Sequence, residues 1–169
     1  LLELSILFAS IMFVLMMFRP FIPNFLADVY NYGDFEIGIL GSVSFFGSAV
    51  LGILLGKLGD KWKKSFALSA SMALCSFSLI FLLLSSNFHI LIVIFFLVGG
   101  GSYITWSLMG AILGPHAPES IRARWISIPQ TVSMFSSFIA PYIGGILYGY
   151  LLYSPFIKAI IATAVLALL

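Results

Sequence analysis

Eight Lys or Arg, six Asp or Glu, two His and one Cys are the sparse reactive chemistry of a 169-residue chain. Five of the charged side chains fall in one stretch, Gly56-Lys57-Leu58-Gly59-Asp60-Lys61-Trp62-Lys63-Lys64. Long apolar sequence flanks it on both sides. Such a cluster reads as a tight loop between two membrane-spanning helices, on the side where positive charge collects. A separate cation, Arg19, lies inside the first apolar segment, beside Pro20 and near Pro23. A charge within the bilayer is costly and faces a cavity or a partner, unless its long side chain reaches the surface. Arg19 stands about seventeen residues into its segment, or ~25 Å at 1.5 Å per residue. That depth leans towards the outer surface, with Asn24 and Asp28 following near the solvated end.

Catalytic chemistry finds little support. Ser102 follows a Gly run and His116 lies downstream. A nucleophile and its base need hydrogen-bond contact. Fourteen residues of continuous helix would separate these two by ~21 Å. His89 falls near the opposite membrane face, and no Gly-x-Ser-x-Gly surrounds Ser102, so the chain is not read as an enzyme. Two distant histidines and scattered carboxylates make no metal site. No Gly-rich loop precedes a Lys and a Ser or Thr, so no nucleotide and no other cofactor is expected. The lone Cys75, in an apolar run, excludes an internal disulfide framework. Basic residues form no face outside short loops, so nucleic acid is not expected as a partner.

Binding chemistry is better represented. Tyr103, Thr105, Trp106 and Ser107 follow Gly99-Gly100-Gly101 and make the most polar-aromatic stretch within a span. With Arg19, Asn24, Gln130 and Thr131 they could line a cavity for a small-molecule solute. Packing plus one interhelical hydrogen bond explains the same stretch equally well. Three adjacent glycines each cost about 1 kcal/mol against alanine in a helix, so they imply a near neighbour or a bend. Small-residue ladders occur at Ser44, Ser48, Gly52 and Gly56, and at Ser136, Ala140 and Gly144 beside Ser137, Pro141, Gly145 and Gly149. They let helix backbones approach in lipid, as static packing or as a sliding interface.

The elements that position these residues follow from composition. Hydrophobic residues are 62% of the chain and charged residues 8%. Soluble domains are roughly a quarter charged, so the lipid bilayer must be the solvent here. Six apolar segments run over Leu2–Tyr30, Phe35–Gly59, Ser65–Ser86, Phe88–Gly114, Ile121–Tyr153 and Pro155–Leu169. Their length and continuity predict helices, because a span must satisfy its own backbone. The turn Asn31-Tyr32-Gly33-Asp34 lets Asp34 cap the second helix. Pro115-His116-Ala117-Pro118 breaks the chain before the fifth.

Lys57, Lys61, Lys63 and Lys64 lie after helix two, and Arg122 and Arg124 after helix four. The loop after helix one carries only acids. This alternation predicts a multi-pass protein of the cell membrane with both ends of the segment in the cytoplasm. Tyr30, Tyr32, Tyr150 and Tyr153 mark the outer interface, Trp62 and Trp125 the inner. The last segment has fifteen residues against the roughly twenty of a full span. With no initiating Met, this predicts a piece of something longer.

The charged stretch resembles motif A of the major facilitator superfamily, G-x-x-x-D-(R/K)-x-G-(R/K)-(R/K). Gly56, Asp60, Lys61 and Lys64 match in place, while Lys63 stands where the glycine is expected. Ala140-Pro141-Tyr142-Ile143-Gly144-Gly145 is similar to the family's G-P-x-x-G-G helix motif. The resemblance covers the whole chain. It implies an all-α membrane protein: one six-helix bundle, residues 1–169, of two inverted three-helix repeats near 1–86 and 87–169. A second six-helix bundle, from the same longer chain or a homodimer, would complete the cavity at mid-membrane. It further implies secondary active or facilitative transport by alternating access. In that role Asp60 latches onto a helix N-terminus of the partner bundle, or pairs with Arg122 or Arg124. The absence of Arg in Phe88–Gly114 leans towards the C-terminal bundle. A non-transporting receptor or assembly subunit is the alternative, and an intramembrane hydrolase the weaker one.

Overall fold

The structure, a computed structural model, describes residues 1–168, without the side chain of His116. All regular secondary structure among the described residues is helical: α1 (Leu2–Phe18), α2 (Ile22–Tyr30), α3 (Asp34–Lys61), α4 (Lys64–Leu84), α5 (Phe88–Leu113), α6 (Arg122–Tyr150) and α7 (Ser154–Leu168). Arg19–Phe21 form a 3-10 turn that joins α1 to α2 within one apolar span. Pro20 has no N–H for the Met16 carbonyl, so regular α-helix cannot continue there. The Ile22 N–H instead reaches back to the Arg19 carbonyl. Among the described residues, five spans are long and apolar enough to cross a membrane, and α7 is a shorter apolar helix.

The charged stretch is not the loop its composition suggests. Helix α3 runs through Gly56 and Asp60 to Lys61, and α4 begins at Lys64. Only Trp62 and Lys63 lie between them. Leu and Lys are good helix formers, and lysine stems can carry charge to the interface from a helical position. Gly59 permits the tight corner, since a β-carbon there would lie 3.2 Å from Cβ of Ala67. Asp34 likewise lies inside its helix rather than capping it. Gly33 is the N-cap residue, and its N–H donates to Glu36 Oε2 at 3.0 Å. Before it, Asn31 takes a left-handed conformation at φ 57° and closes α2.

The helices pack as α3 on α5, α1 on α6, α4 on both α5 and α7, and more lightly α3 on α4 and α1 on α7. The glycine run explains part of this. Helix α5 continues unbroken through it, and all three glycines meet close neighbours. A β-carbon at Gly99 would overlap the Ser44 carbonyl, and one at Gly100 would overlap the Leu51 side chain. One at Gly101 would approach the Ser71 carbonyl oxygen of α4 to 2.8 Å. Conversely, a β-carbon at Gly47 of α3 would overlap the Phe96 backbone. Across the bundle, Gly144 of α6 sits against the Met17 carbonyl of α1. The close approaches therefore use Ser44, Gly47 and Gly144. Gly52, Gly56 and Gly149 border open space.

Hydroxyls in lipid bond their own helices or tie two together. Ser136 Oγ donates to the Ala9 carbonyl at 2.8 Å, and Ser76 Oγ to the Ile160 carbonyl at 3.1 Å. At the end of the bundle that holds the α2–α3 turn, Tyr30 and Tyr32 donate to the Leu82 and Ser86 carbonyls, both at 2.5 Å. Those acceptors belong to the C-terminal end of α4 and the residues after it. The tyrosines thus tie the α2–α3 turn to α4. Burial raises the Tyr32 hydroxyl above its ordinary pKa, and the Glu36 charge adds to this.

Candidate functional site

The 3-10 turn between α1 and α2 places Arg19 against the middle of α5. Its guanidinium carbon lies 3.4 Å from the centroid of the Tyr103 ring. That is stacking contact, where the ring quadrupole attracts the cation. The Tyr103 ring in turn meets Phe45 of α3, with centroids 5.0 Å apart. The Arg19 guanidinium therefore packs on α5.

Around this stack is a cavity of about 280 Å³, lined by Met12, Leu15, Met16 and Arg19 from α1 and its turn, and by Ser102, Tyr103 and Trp106 from α5. Met12, Met16 and Arg19 recur at i, i+4 and i+7, so they share one face of the chain entering the turn. Ser102 and Trp106 are likewise one helical turn apart. Trp106 is 40% exposed and forms the open edge.

Of the residues assigned to a cavity from sequence, the structure brings together Arg19, Tyr103 and Trp106. Thr105 is fully buried and bonds the Gly101 carbonyl within its own helix. Asn24 is exposed on α2. Gln130 is half-buried on α6, outside this lining. Thr131 lines a separate, almost wholly apolar groove with Met134, Phe135 and Phe138. Met12, Leu15 and Met16 were not among the expected residues. Their helical spacing from Arg19 was the available signal.

Ser102 donates to the Val98 carbonyl at 2.7 Å and is buried, so its hydroxyl is engaged in its own helix. His116 lies outside the described side chains. No cluster of metal-ligating groups occurs among the described residues.

At the other candidate region, Lys64 Nζ donates to the Ala111 carbonyl at 2.7 Å. Ala111 lies in the last turn of α5, where carbonyls lack helical partners and favour a cation. Lys64 thus ties α4 to the end of α5 within the bundle. Asp60, Lys61, Lys63, Arg122 and Arg124 are all exposed, and Asp60 pairs with neither arginine. The Ala140–Gly145 segment lies inside α6, with Ala140 buried and Gly144 packed against Met17 of α1. Pro141 is accommodated without ending the helix.

A bundle of long apolar helices defines the class as a multi-pass membrane protein. The profile of the Major Facilitator Superfamily matches residues 4–169, and the chain belongs to that family of membrane transporters. No curated protein matched the sequence.

Proposed function

We propose that this chain is one six-helix bundle of a secondary active or facilitative transporter, moving a small solute by alternating access. The observation that carries the reading is the cavity beneath Arg19 and Tyr103. It lies between mid-span residues of the first span and α5 and borders the exposed Trp106, which suits one wall of a solute site. The pairing of helices supports two inverted three-helix repeats. The packing of α3 on α5 has its counterpart in α1 on α6, and that of α4 on α5 in α1 on α7. Each of the first two contacts is made through glycine. A second bundle would cover α3 and α6, whose most apolar windows are each only 17% buried. Large side chains such as Phe45, Phe46, Phe135 and Phe138 project from them. The basic end, with Lys57, Lys61, Lys63, Arg122 and Arg124, would face the cytoplasm.

Asp60 is the proposed latch. It sits at the C-terminal end of α3, where the helix dipole disfavours an anion, and it has no ion-pair partner among the described residues. Its place is better explained by a helix N-terminus in the partner bundle. The test is uptake of radiolabelled sugars, amino acids, nucleosides and carboxylates into proteoliposomes containing the full-length protein. At least one class should accumulate faster than in empty vesicles, and Asp60→Asn should slow it while membrane insertion is retained. Binding without flux would favour a receptor; unchanged flux in Asp60→Asn would remove the latch.

A further inference from the structure

We propose that the Arg19 cavity takes a small organic monoanion, with a carboxylate on the guanidinium and an apolar or aromatic body against Met12, Met16 and Trp106. This rests on the transport reading and names its substrate class.

Arg19 lies far from both ends of its span, against the middle of α5. A cation at that depth needs compensation. The ring of Tyr103 supplies some, but a quadrupole is weaker than a countercharge. The Arg19 guanidinium forms no ion pair and donates no hydrogen bond among the described residues. Guanidinium carries five N–H donors in one plane, in a fork that matches a carboxylate. Stacking on Tyr103 occupies a face of that plane and leaves the donor edge for an in-plane acceptor. No buried side-chain nitrogen or oxygen among the described residues lacks a partner, so the idle donors of Arg19 are accessible and not sealed. The cavity is the space beside them.

The lining sets the rest of the ligand. Arg19 is the only cation among the lining residues, and there is no lining carboxylate. One positive charge balances one negative charge; a phosphate dianion would keep an excess charge in a low-dielectric site. Met12, Leu15, Met16 and Trp106 offer adaptable thioethers and an aromatic face to an apolar body. A volume of about 280 Å³ suits a compact ligand. The rival occupant of the guanidinium is a carboxylate of the partner bundle, which would leave no room for an anionic ligand's charge.

The experiment is thermal unfolding of the full-length protein in detergent with benzoate, phenylacetate or hexanoate, against benzamide and inorganic phosphate. A saturable rise in Tm is expected with at least one carboxylate and with neither benzamide nor phosphate. Arg19→Gln should weaken the apparent affinity roughly tenfold or more, as loss of a charged hydrogen bond implies. Arg19→Lys should retain part of it. If Arg19→Gln does not fold, the contrast among carboxylates, amide and phosphate in the unaltered protein decides. No shift with any of the three carboxylates, an equal shift with benzamide, or a full shift in Arg19→Gln would overturn the proposal. Uptake of a neutral solute without carboxylate binding would leave transport standing and remove the monoanion. Carboxylate binding without flux would do the reverse.

Discussion

Individual side chains divide into those that hold the bundle and those that remain free to act. Lys64 and Lys63 are neighbours in sequence but differ in this respect. Lys64 holds the Ala111 carbonyl, whereas Lys63 is exposed. Lys64→Met is therefore expected to lower stability by about 1 kcal/mol, the scale of a partly solvated charged hydrogen bond. Lys63→Met should leave it unchanged, with both read by thermal unfolding in detergent. The reactive residues were legible at this scale because charge is so scarce: Arg19, Asp60 and the lysines stand out against apolar sequence. Their partners were not legible. Tyr103 lies 84 positions from Arg19, and Ala111 offers only a backbone oxygen. The depth estimate for Arg19 also assumed a regular helix and a side chain extended outward. The span instead turns at Arg19–Phe21, and the guanidinium packs on Tyr103.

At the scale of elements, close helix approach is set by a few glycines and not by the length of a small-residue ladder. Gly99→Ala and Gly144→Ala would drive a methyl group into the Ser44 and Met17 carbonyls. Each should cost about 1–3 kcal/mol, as overpacking does. Gly52→Ala and Gly149→Ala meet open space and should be neutral, or gain up to about 1 kcal/mol from helix propensity. Thermal unfolding of the four variants checks both halves of the contrast. The spans themselves were readable from hydropathy, because lipid leaves the backbone few alternatives to a helix. Their ends were less so. The stretch from Gly56 to Lys61 has the glycines and charges of a loop, yet remains helical throughout. The ladders marked suitable helices but not the contacting face. Ser44 and Gly47 meet α5, whereas Gly52 and Gly56 do not.

At the scale of the whole molecule, the bundle carries a cavity between its first span and α5, which the proposed second bundle would close. Its interior is anchored by buried phenylalanines and tyrosine ties at one end and by Lys64 at the other. Two of its five long spans remain mostly uncovered. Family membership was legible from the Asp60 and Gly144 motifs, which depend on local spacing. The cavity was only half legible, because it is assembled from α1 and α5, distant in sequence and joined by packing through other helices. In the proposed mechanism this bundle rocks against a second bundle, exposing the same residues to each side in turn. The most direct test is accessibility of Trp106→Cys in the full-length protein, with Cys75 replaced by serine, using a membrane-impermeant maleimide. Alternating access predicts labelling in both right-side-out and inside-out vesicles. Labelling from one side only, under all solute conditions, would contradict it.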